Sequence, residues 1–499
     1  MGCVLGLIGC TPVGPDFVTP ATESPTQWNN DSAQDFDATR PATVQWWQEF
    51  DDPVLTGLIE QAQRQNLNLR VAGLRVLESQ ALLGITIGNQ YPQAQLTSGD
   101  ATYARSGGVD TEIYNLSAVS SWEIDFWGKF KRGVESADAS LLANIASFDD
   151  LVVILNAAVA STYVSIRTIE EQLRIAHENI TVQQRSYDIV EVLFRNGDSA
   201  ELDVQQARTL LLSTQASVPQ LETALNQARN ALSILLGELP GKTAARLAQG
   251  GGMPEVTQVT AVGIPADALR QRPDVRQAEL LARAQNAQIG VARANLYPSF
   301  SIAGSIGVSA SGAAGDTDLG DLFDSDAITY GIGPSFSWPF LNYGRLENNV
   351  RVQDARLQQL LFLYRETVIE AVREVEDALI GFEGAKQQEL ILTEALLAAK
   401  RSADLAMLRY KEGFSDYQRV LDAQKSLFNQ QERYVVNRSN EVLALINLHR
   451  ALGGGWQHRP VDFVDDATRT ELEERTDWDE LIDANRELQA RESLAEPTP

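Results

Sequence analysis

The sequence predicts a mainly α-helical protein with a small β part, laid down as two copies of one pattern. Three observations carry this. Gly128 and Gly344, Gly197 and Gly413, and Gly237 and Gly453 are separated by one constant offset, and "RNGDSAELDVQQAR" at Arg195 answers "KEGFSDYQRVLDAQ" at Lys411. A fixed offset across such distances marks a duplication, far longer than any solenoid repeat. Between Gly133 and Gly197 there is no glycine or proline, enough chain for a helix of roughly 90 Å at 1.5 Å per residue. Only four stretches alternate apolar and polar residues as strands do.

Taken in order, the chain opens "MGCVLGLIGCTPVGPDF". Leu7-Ile8-Gly9-Cys10 has the form of a bacterial lipobox, in which a peptidase cuts before the cysteine and that cysteine is acylated. The apolar stretch is short and no basic region precedes it, so residues 1–9 are expected to be a truncated signal segment. Gly6, where myristoylation needs Ser or Thr, disfavours that modification. A lipidated N-terminal segment spans 10–50. The first repeat, 51–236, reads helix, strands about 92–104 and 112–126, long helix, turn at 197, helix. A Gly/Pro-rich link covers 237–265. The second repeat, 266–456, has strands about 298–310 and 328–340 and its turn at 413. An acidic extension, 457–499, closes the chain. Thr470 and Glu473 suggest a capping box and a helix over about 470–490, with a solvated, partly mobile tail as the default reading.

The strands are the most informative part. Tyr114, Leu116, Ala118, Trp122, Ile124 and Phe126 alternate with Asn115, Ser117, Ser121, Glu123 and Asp125. Ile328, Tyr330, Ile332, Phe336, Trp338 and Phe340 alternate with Thr329, Gly331, Gly333, Ser335 and Ser337. Phe300, Ile302, Ile306 and Val308 do the same among serines. Alternation with terminal aromatics fits lipid-facing barrel strands; a soluble sandwich alternates too. Closed membrane barrels need about eight strands or more, and hydrocarbon does not tolerate open sheet edges. Four strands therefore have to be completed by other copies of the chain, with apolar faces on lipid and hydroxyl faces on a watery lumen. No later stretch holds eighteen uninterrupted apolar residues, so no helix is expected to span a bilayer.

The helices carry heptad stripes: Leu141, Ile145, Phe148, Val152, Leu155, Val159, Thr162, Ile166, Ile169 and Leu173 in one half, and Leu361, Tyr364, Val368, Val375, Leu379 and Phe382 in the other. Such spacing predicts coiled-coil packing. The helix after Gly197 is expected to be interrupted at Pro219.

Composition removes several functions. The net charge is -26, which repels phosphate backbones and argues against nucleic acid as a partner. Cys3 and Cys10 are the two cysteines, so no disulfide framework or zinc site can be built. His177, His449 and His458 are scattered without metal-ligand spacing and read as surface residues. No nucleophile elbow or phosphate loop occurs, so the expectation is no enzyme, no cofactor and no metal.

Three stretches resemble one family. "CTPVGPDFVTP" at Cys10, "WWQEFDDPVLTGLIEQAQRQNLNLRVA" at Trp46 and "LRQRPDVRQAELLARAQNAQIGVARANLYPSFSI" at Leu269 are similar to the TolC-like outer-membrane factors, in particular their lipoprotein (NodT-type) branch serving tripartite RND efflux pumps. The resemblance covers about residues 10–456. It implies a homotrimer in which three sets of four strands share one twelve-stranded transmembrane barrel above a long periplasmic tunnel of coiled helices. An equatorial belt would come from the N-terminal segment, the 237–265 link and the C-terminal region. It also implies acyl and diacylglycerol chains on Cys10 in the outer membrane, a periplasmic adaptor (membrane fusion) protein and an inner-membrane RND transporter as partners, and export of small molecules such as drugs or toxic compounds. A duct for type I protein secretion is the alternative.

Function in a duct lies in its gate. The resemblance puts this at the hairpin turns Gly197 and Gly413, which would face the adaptor. Asp203 falls on the acidic residue that bonds across to a tyrosine, here Tyr410, and Asp422 falls on a lumen-facing acidic position. Asp416 and Arg419 complete the candidate gate; Arg419 and Ser415 depart from the family's pattern.

Overall fold

In the computed structural model the described residues are 12–21, 25, 27–29, 36–37, 44–248, 251–254, 260–261, 265–313, 315, 317–459, 462–478 and 481–483. Cys3, Cys10 and residues 484–499 lie outside them. A short strand β1 (Phe36–Asp37) precedes α1 (Pro53–Gln65), α2 (Leu67–Gly88), β2 (Ala94–Ser106), β3 (Val109–Ile124), α3 (Lys129–Asn196) and α4 (Glu201–Leu235). The link holds α5 (Ala244–Leu247), β4 (Thr260–Ala261) and α6 (Pro265–Gln271). Then come α7 (Pro273–Ala294), β5 (Ser299–Ala313), β6 (Ile328–Ser337), α8 (Arg345–Lys411), α9 (Tyr417–Ala451) and α10 (Asp466–Glu473).

The duplication is visible in the lengths. Helices α2 and α7 have 22 residues each, α4 and α9 have 35 each, and α3 and α8 have 68 and 67. The long pair would extend about 100 Å. Their ends coincide because their caps do. Gly197 and Gly413 sit at φ 81° and 76°, a conformation that favours glycine. Behind them the amide of Asp198 bonds Leu193 O at 2.8 Å and that of Phe414 bonds Arg409 O at 2.9 Å, the Schellman closure in both halves. The heptad stripes point inward: Leu141, Phe148, Val152 and Val159 are buried, as are Tyr364, Val368, Val375 and Leu379. Helix α4 runs unbroken through Pro219, against the expected interruption. Proline removes one backbone donor, and the helix persists because Leu210, Leu211 and Thr214 before it and Leu225 and Leu232 after it stay buried.

The four long strands form one antiparallel sheet in the order β2-β3-β5-β6. Trp122 lies opposite Ile302, Leu116 opposite Val308 and Ile306 opposite Tyr330, all on one face. Asn115 opposite Ser309 and Ser305 opposite Gly331 lie on the other, where Ser309 Oγ donates to Asn115 Oδ1 at 2.7 Å and Asn115 Nδ2 to Asp100 Oδ2 at 3.1 Å. Among the described residues β2 and β6 each keep one unpaired edge. A belt of aromatics marks the passage from strand to helix, with Trp127 stacked on Tyr297 at 4.6 Å and Phe126 5.7 Å from Phe300.

The main core lies at mid-length, where shorter helices abut end to end. The C-terminus of α4 meets the start of α2, and Asn66 Nδ2 donates to Leu235 O at 2.9 Å. The C-terminus of α9 meets α7 in the same way. Around these junctions Trp28, Trp46, Trp47 and Phe50 pack with Tyr163, Leu379, Leu445 and Trp456. Strands β1 and β4 pair in parallel, Phe36 with Thr260, tying the N-terminal segment to the link. His449 is not a surface residue: it is 0% exposed, stacks on Trp46 at 5.1 Å and has Nε2 3.3 Å from Glu49 Oε2. Its position on the inward stripe of α9 outweighs its polarity.

The C-terminal extension is only partly as expected. Its helix, α10, starts at Asp466, because Asp465 and not Thr470 is the cap, accepting from the amide of Thr468 at 2.9 Å. Thr470 instead donates to Asp466 O at 2.9 Å within the helix. The segment is docked rather than solvated. Phe463, Val464 and Ile482 are buried, the last two against Leu77, and Asp465 pairs with Arg70 at 2.7 Å.

Two helices contain windows apolar enough to cross a membrane by composition, in α2 (mean hydropathy 1.2) and α3 (1.6). In α3 that window is 61% buried inside the protein, so its apolar character is that of a core helix.

Candidate functional site

The end of the molecule opposite the sheet is built by two helical hairpins, α3–α4 and α8–α9. A separate small core holds them together, formed by Val190, Val204, Leu210, Tyr410, Tyr417 and Val420. Higher up, the seam between α3 and α9 is polar. Gln424 Nε2 donates to Ser186 Oγ at 2.7 Å, Asn179 Nδ2 to Gln431 Oε1 at 2.7 Å, and Thr168 Oγ1 to Ser439 Oγ at 2.9 Å. These bonds recur every two to three turns and fix one register between the hairpins. An apolar seam would tolerate slippage.

At the tips the expected pair, Asp203 and Tyr410, is brought together through a third residue. Tyr410 Oη donates to Ser199 Oγ at 3.4 Å, and Ser199 Oγ donates to Asp203 Oδ2 at 2.8 Å. The bond is thus relayed, not direct. Tyr410 stacks edge-on against Tyr417 at 5.3 Å. Burial pushes both phenols above their ordinary value, with the Asp203 carboxylate adding to the effect. Both therefore stay protonated, and Tyr410 stays a donor, throughout physiological pH.

The remaining predicted residues play separate parts. Asp416 caps α9, accepting from the Arg419 amide at 3.3 Å. Asp422 accepts from Gln418 Nε2 at 3.0 Å. Arg419 and Asp422 are exposed on α9, and the structure brings neither to Asp203. Sequence reasoning missed Ser199, although its spacing four residues before Asp203 is one at which side chains meet on a helical path. Tyr417, buried beneath Tyr410, was missed as well.

Two further constellations lie between the tips and the sheet. Arg272, the first residue of the "RPDVR" stretch, is buried at the α9–α7 junction. Its guanidinium grips Asp274 at 3.0 and 2.7 Å and Glu374 at 2.9 Å, and donates to Ala451 O at the C-terminus of α9. One flat cation thus satisfies a helix end and two carboxylates. Nearby, burial pushes the Asp150 carboxyl up to about 6, helped by Asp274. Closer to the sheet, residues 12–16 lie on the strand-to-helix passage. The amide of Val13 donates to Trp127 O at 3.0 Å, and Arg132 donates to Asp16 Oδ1 at 2.7 Å. Pro12 covers Gly128, where an added Cβ would stand 2.5 Å from it.

Among the described residues no group of His, Cys, Asp and Glu is placed to hold a metal ion. What the arrangement offers is a sheet with one polar face at one end, hydrogen-bonded hairpin tips at the other and a packed core at mid-length.

Comparison with known proteins agrees in extent. The family model described as outer membrane efflux protein matches residues 58–238 and 264–454, one match for each repeat. The chain is 31% identical to the probable outer membrane lipoprotein SilC of Salmonella typhimurium, over 90% of this chain and 96% of that one. It is also 31% identical to the cation efflux system protein CusC of Escherichia coli, over 91% and 98%. Among solved structures, the outer-membrane channel OprN superposes with a TM-score of 0.84 at 31% identity, covering 89% of this chain and 99% of that one.

Proposed function

The chain belongs to the outer membrane efflux protein family, and on that premise we propose that three copies form the exit duct of a tripartite pump, exporting small molecules across the outer membrane. The observation that carries this is the sheet. It has one apolar face, one hydroxyl face and, among the described residues, two unpaired edges, so it is incomplete alone and would become a water-filled barrel when copies join. An inner-membrane RND transporter would supply cargo, and a periplasmic adaptor would engage the turns at Gly197 and Gly413. The duct itself makes and breaks no bonds. Lipid on Cys10 agrees with Pro12 lying against Gly128, since two residues of chain leave the acyl group beside the aromatic belt.

The closed state in this reading is held by the Tyr410–Ser199–Asp203 relay. Each bond contributes about 1 kcal/mol, more where the carboxylate takes part. Arg419, Asp416 and Asp422, repeated three times around the axis, would line the mouth below it. In planar bilayers, Tyr410→Phe combined with Asp203→Ala is expected to raise single-channel conductance, and Ser199→Ala alone to act in the same direction. Conductance identical to the parent in the double variant would overturn the gate assignment.

A further inference from the structure

We propose that one acyl chain of the lipid on Cys10 seats in a groove on the apolar face of the sheet, walled by Ile306, Tyr330 and Ile332 and lowered by Ala118, Ser120 and Gly304. The inference rests on the lipidated, membrane-spanning reading above and deepens it: the lipid packs against the channel wall in one place and is more than a tether.

The groove follows from side-chain size. The apolar face is uneven. Ile306 stands opposite Tyr330, and Ile332 follows two residues along β6; the three are 61%, 85% and 82% exposed. Across the sheet the same rows are low. Gly304 lies opposite both Ile332 and Ser120, and Ala118 lies opposite Ile306. Bulk on β6 beside small residues on β3 and β5 leaves a trough of about 530 Å³. Its floor is the backbone of Val119 and Ser305, whose side chains the pleat turns to the hydroxyl face. That volume is within the range of small-ligand sites. Ile332 leans along the trough, with its Cγ1 3.9 Å from where a Cβ at Gly304 would stand. Apolar walls recognise a methylene chain by close contact alone.

The chain itself names the occupant. Pro12 packs on Gly128, and the amide of Val13 donates to Trp127 O at 3.0 Å. Cys10 is two residues earlier, so it is rooted within about 7 Å of Pro12. From Ile124, the last residue of β3, Ser120 and Ala118 lie about 13 and 20 Å up the strand. The depth is smaller, because barrel strands tilt by about 35–45°. One acyl chain spans one leaflet, about 15 Å or half the hydrocarbon thickness. Its far end therefore arrives at the trough. The side of the sheet agrees as well. Below the hydroxyl face a second cleft, of about 360 Å³, is lined by Glu123, Asp125, Ser299 and Ser337, and residues 12–16 take no part in it. They run along α3 and α7 instead, where Arg132 holds Asp16 and Asn286 Nδ2 donates to Pro15 O at 2.9 Å. Bilayer lipids also reach the apolar face. The acyl chain of Cys10 differs from them in that Pro12 and Val13 fix its root directly below the groove.

The test uses the full chain, produced in cells fed a fatty acid with a photoactivatable diazirine at its far end. The channel is extracted, irradiated and digested, and crosslinked peptides are mapped by mass spectrometry. The expected result is a lipidated Cys10 peptide joined to residues 118–120, 304–306 or 330–332. A lipidated Cys10 peptide crosslinked only elsewhere would overturn the groove while leaving the lipid anchor standing. A Cys10 peptide without lipid would overturn both. Crosslinks in the groove to free phospholipid, with none to the Cys10 peptide, would assign the groove to the bilayer and overturn the proposal. Gly304→Leu fills the trough, and its Cβ has no neighbour nearer than 3.8 Å. This variant is expected to keep the parent's native mass and lose the groove crosslink; a crosslink retained at the parent's yield would count against the site.

Discussion

Replacing Gly73 with alanine sets two effects of opposite sign against each other. Gly73 lies inside α2, where glycine costs a helix about 1 kcal/mol relative to alanine. In a free helix the substitution would therefore stabilise. Here the C-terminal segment crosses directly over it, and a new Cβ would stand 2.8 Å from the carbonyl carbon of Phe463, with the carbonyl oxygen nearer still. Backbone atoms cannot rotate aside as a side-chain tip would. Residues 462–465 must lift, uncovering Phe463 and Val464, which are 6% and 7% exposed, and opening the Asp465–Arg70 pair. Re-exposing two such side chains costs about 3–5 kcal/mol from apolar area, reduced by up to about 40% because the unfolded chain is partly compact. Subtracting the helix gain leaves a net destabilisation of about 1–4 kcal/mol. The assay is a denaturation midpoint of the intact assembly in detergent, paired with hydrogen exchange over 462–478. The expected outcome is a lower midpoint with protection lost in that segment. A higher midpoint with protection intact would show that the extension does not bear on α2, and the reasoning would fail.

Two further outcomes follow from the α9–α7 junction. The Asp150 carboxyl, raised to about 6 from 3.8, binds its proton more tightly folded than unfolded. Its contribution is therefore fully favourable below about pH 4 and is lost as pH rises through 6. Asp150→Asn should raise the unfolding free energy at pH 7.5 by up to about 3 kcal/mol, with the gain vanishing at pH 4; a gain independent of pH would contradict the assignment. Arg272→Lys should destabilise by about 3 kcal/mol, since an ammonium cannot span Asp274, Glu374 and Ala451 O together. Channels that survive should conduct as the parent does, because the junction is remote from the tips; altered conductance would argue otherwise.

The architecture was legible because its determinants are local and doubled. Glycines at Gly197 and Gly413 stop two helices in the same way, and alternation from Tyr114 to Ile124 exposes the two faces of a sheet. What escaped was set by tertiary contact. Pro219 reads as a break but sits in a helix whose flanks are buried. His449 reads as surface but lies on a core stripe. The acidic extension reads as solvated because Phe463 and Val464 are a small apolar minority within it, and only the groove over Gly73 gives them somewhere to go. Asp203 and Tyr410 were found through family resemblance, whereas Ser199, which joins them, carries no pattern beyond its spacing from Asp203.

The mid-length core draws Trp28, Trp46 and Trp47 from one end of the chain and Leu445, Trp456 and Phe463 from the other. Its consequence is one of timing. A polypeptide cut short of Leu445 lacks one half of that cluster. The mid-length core can therefore close only once nearly the whole chain is present, and the long hairpins wait on that closure for their shared anchor.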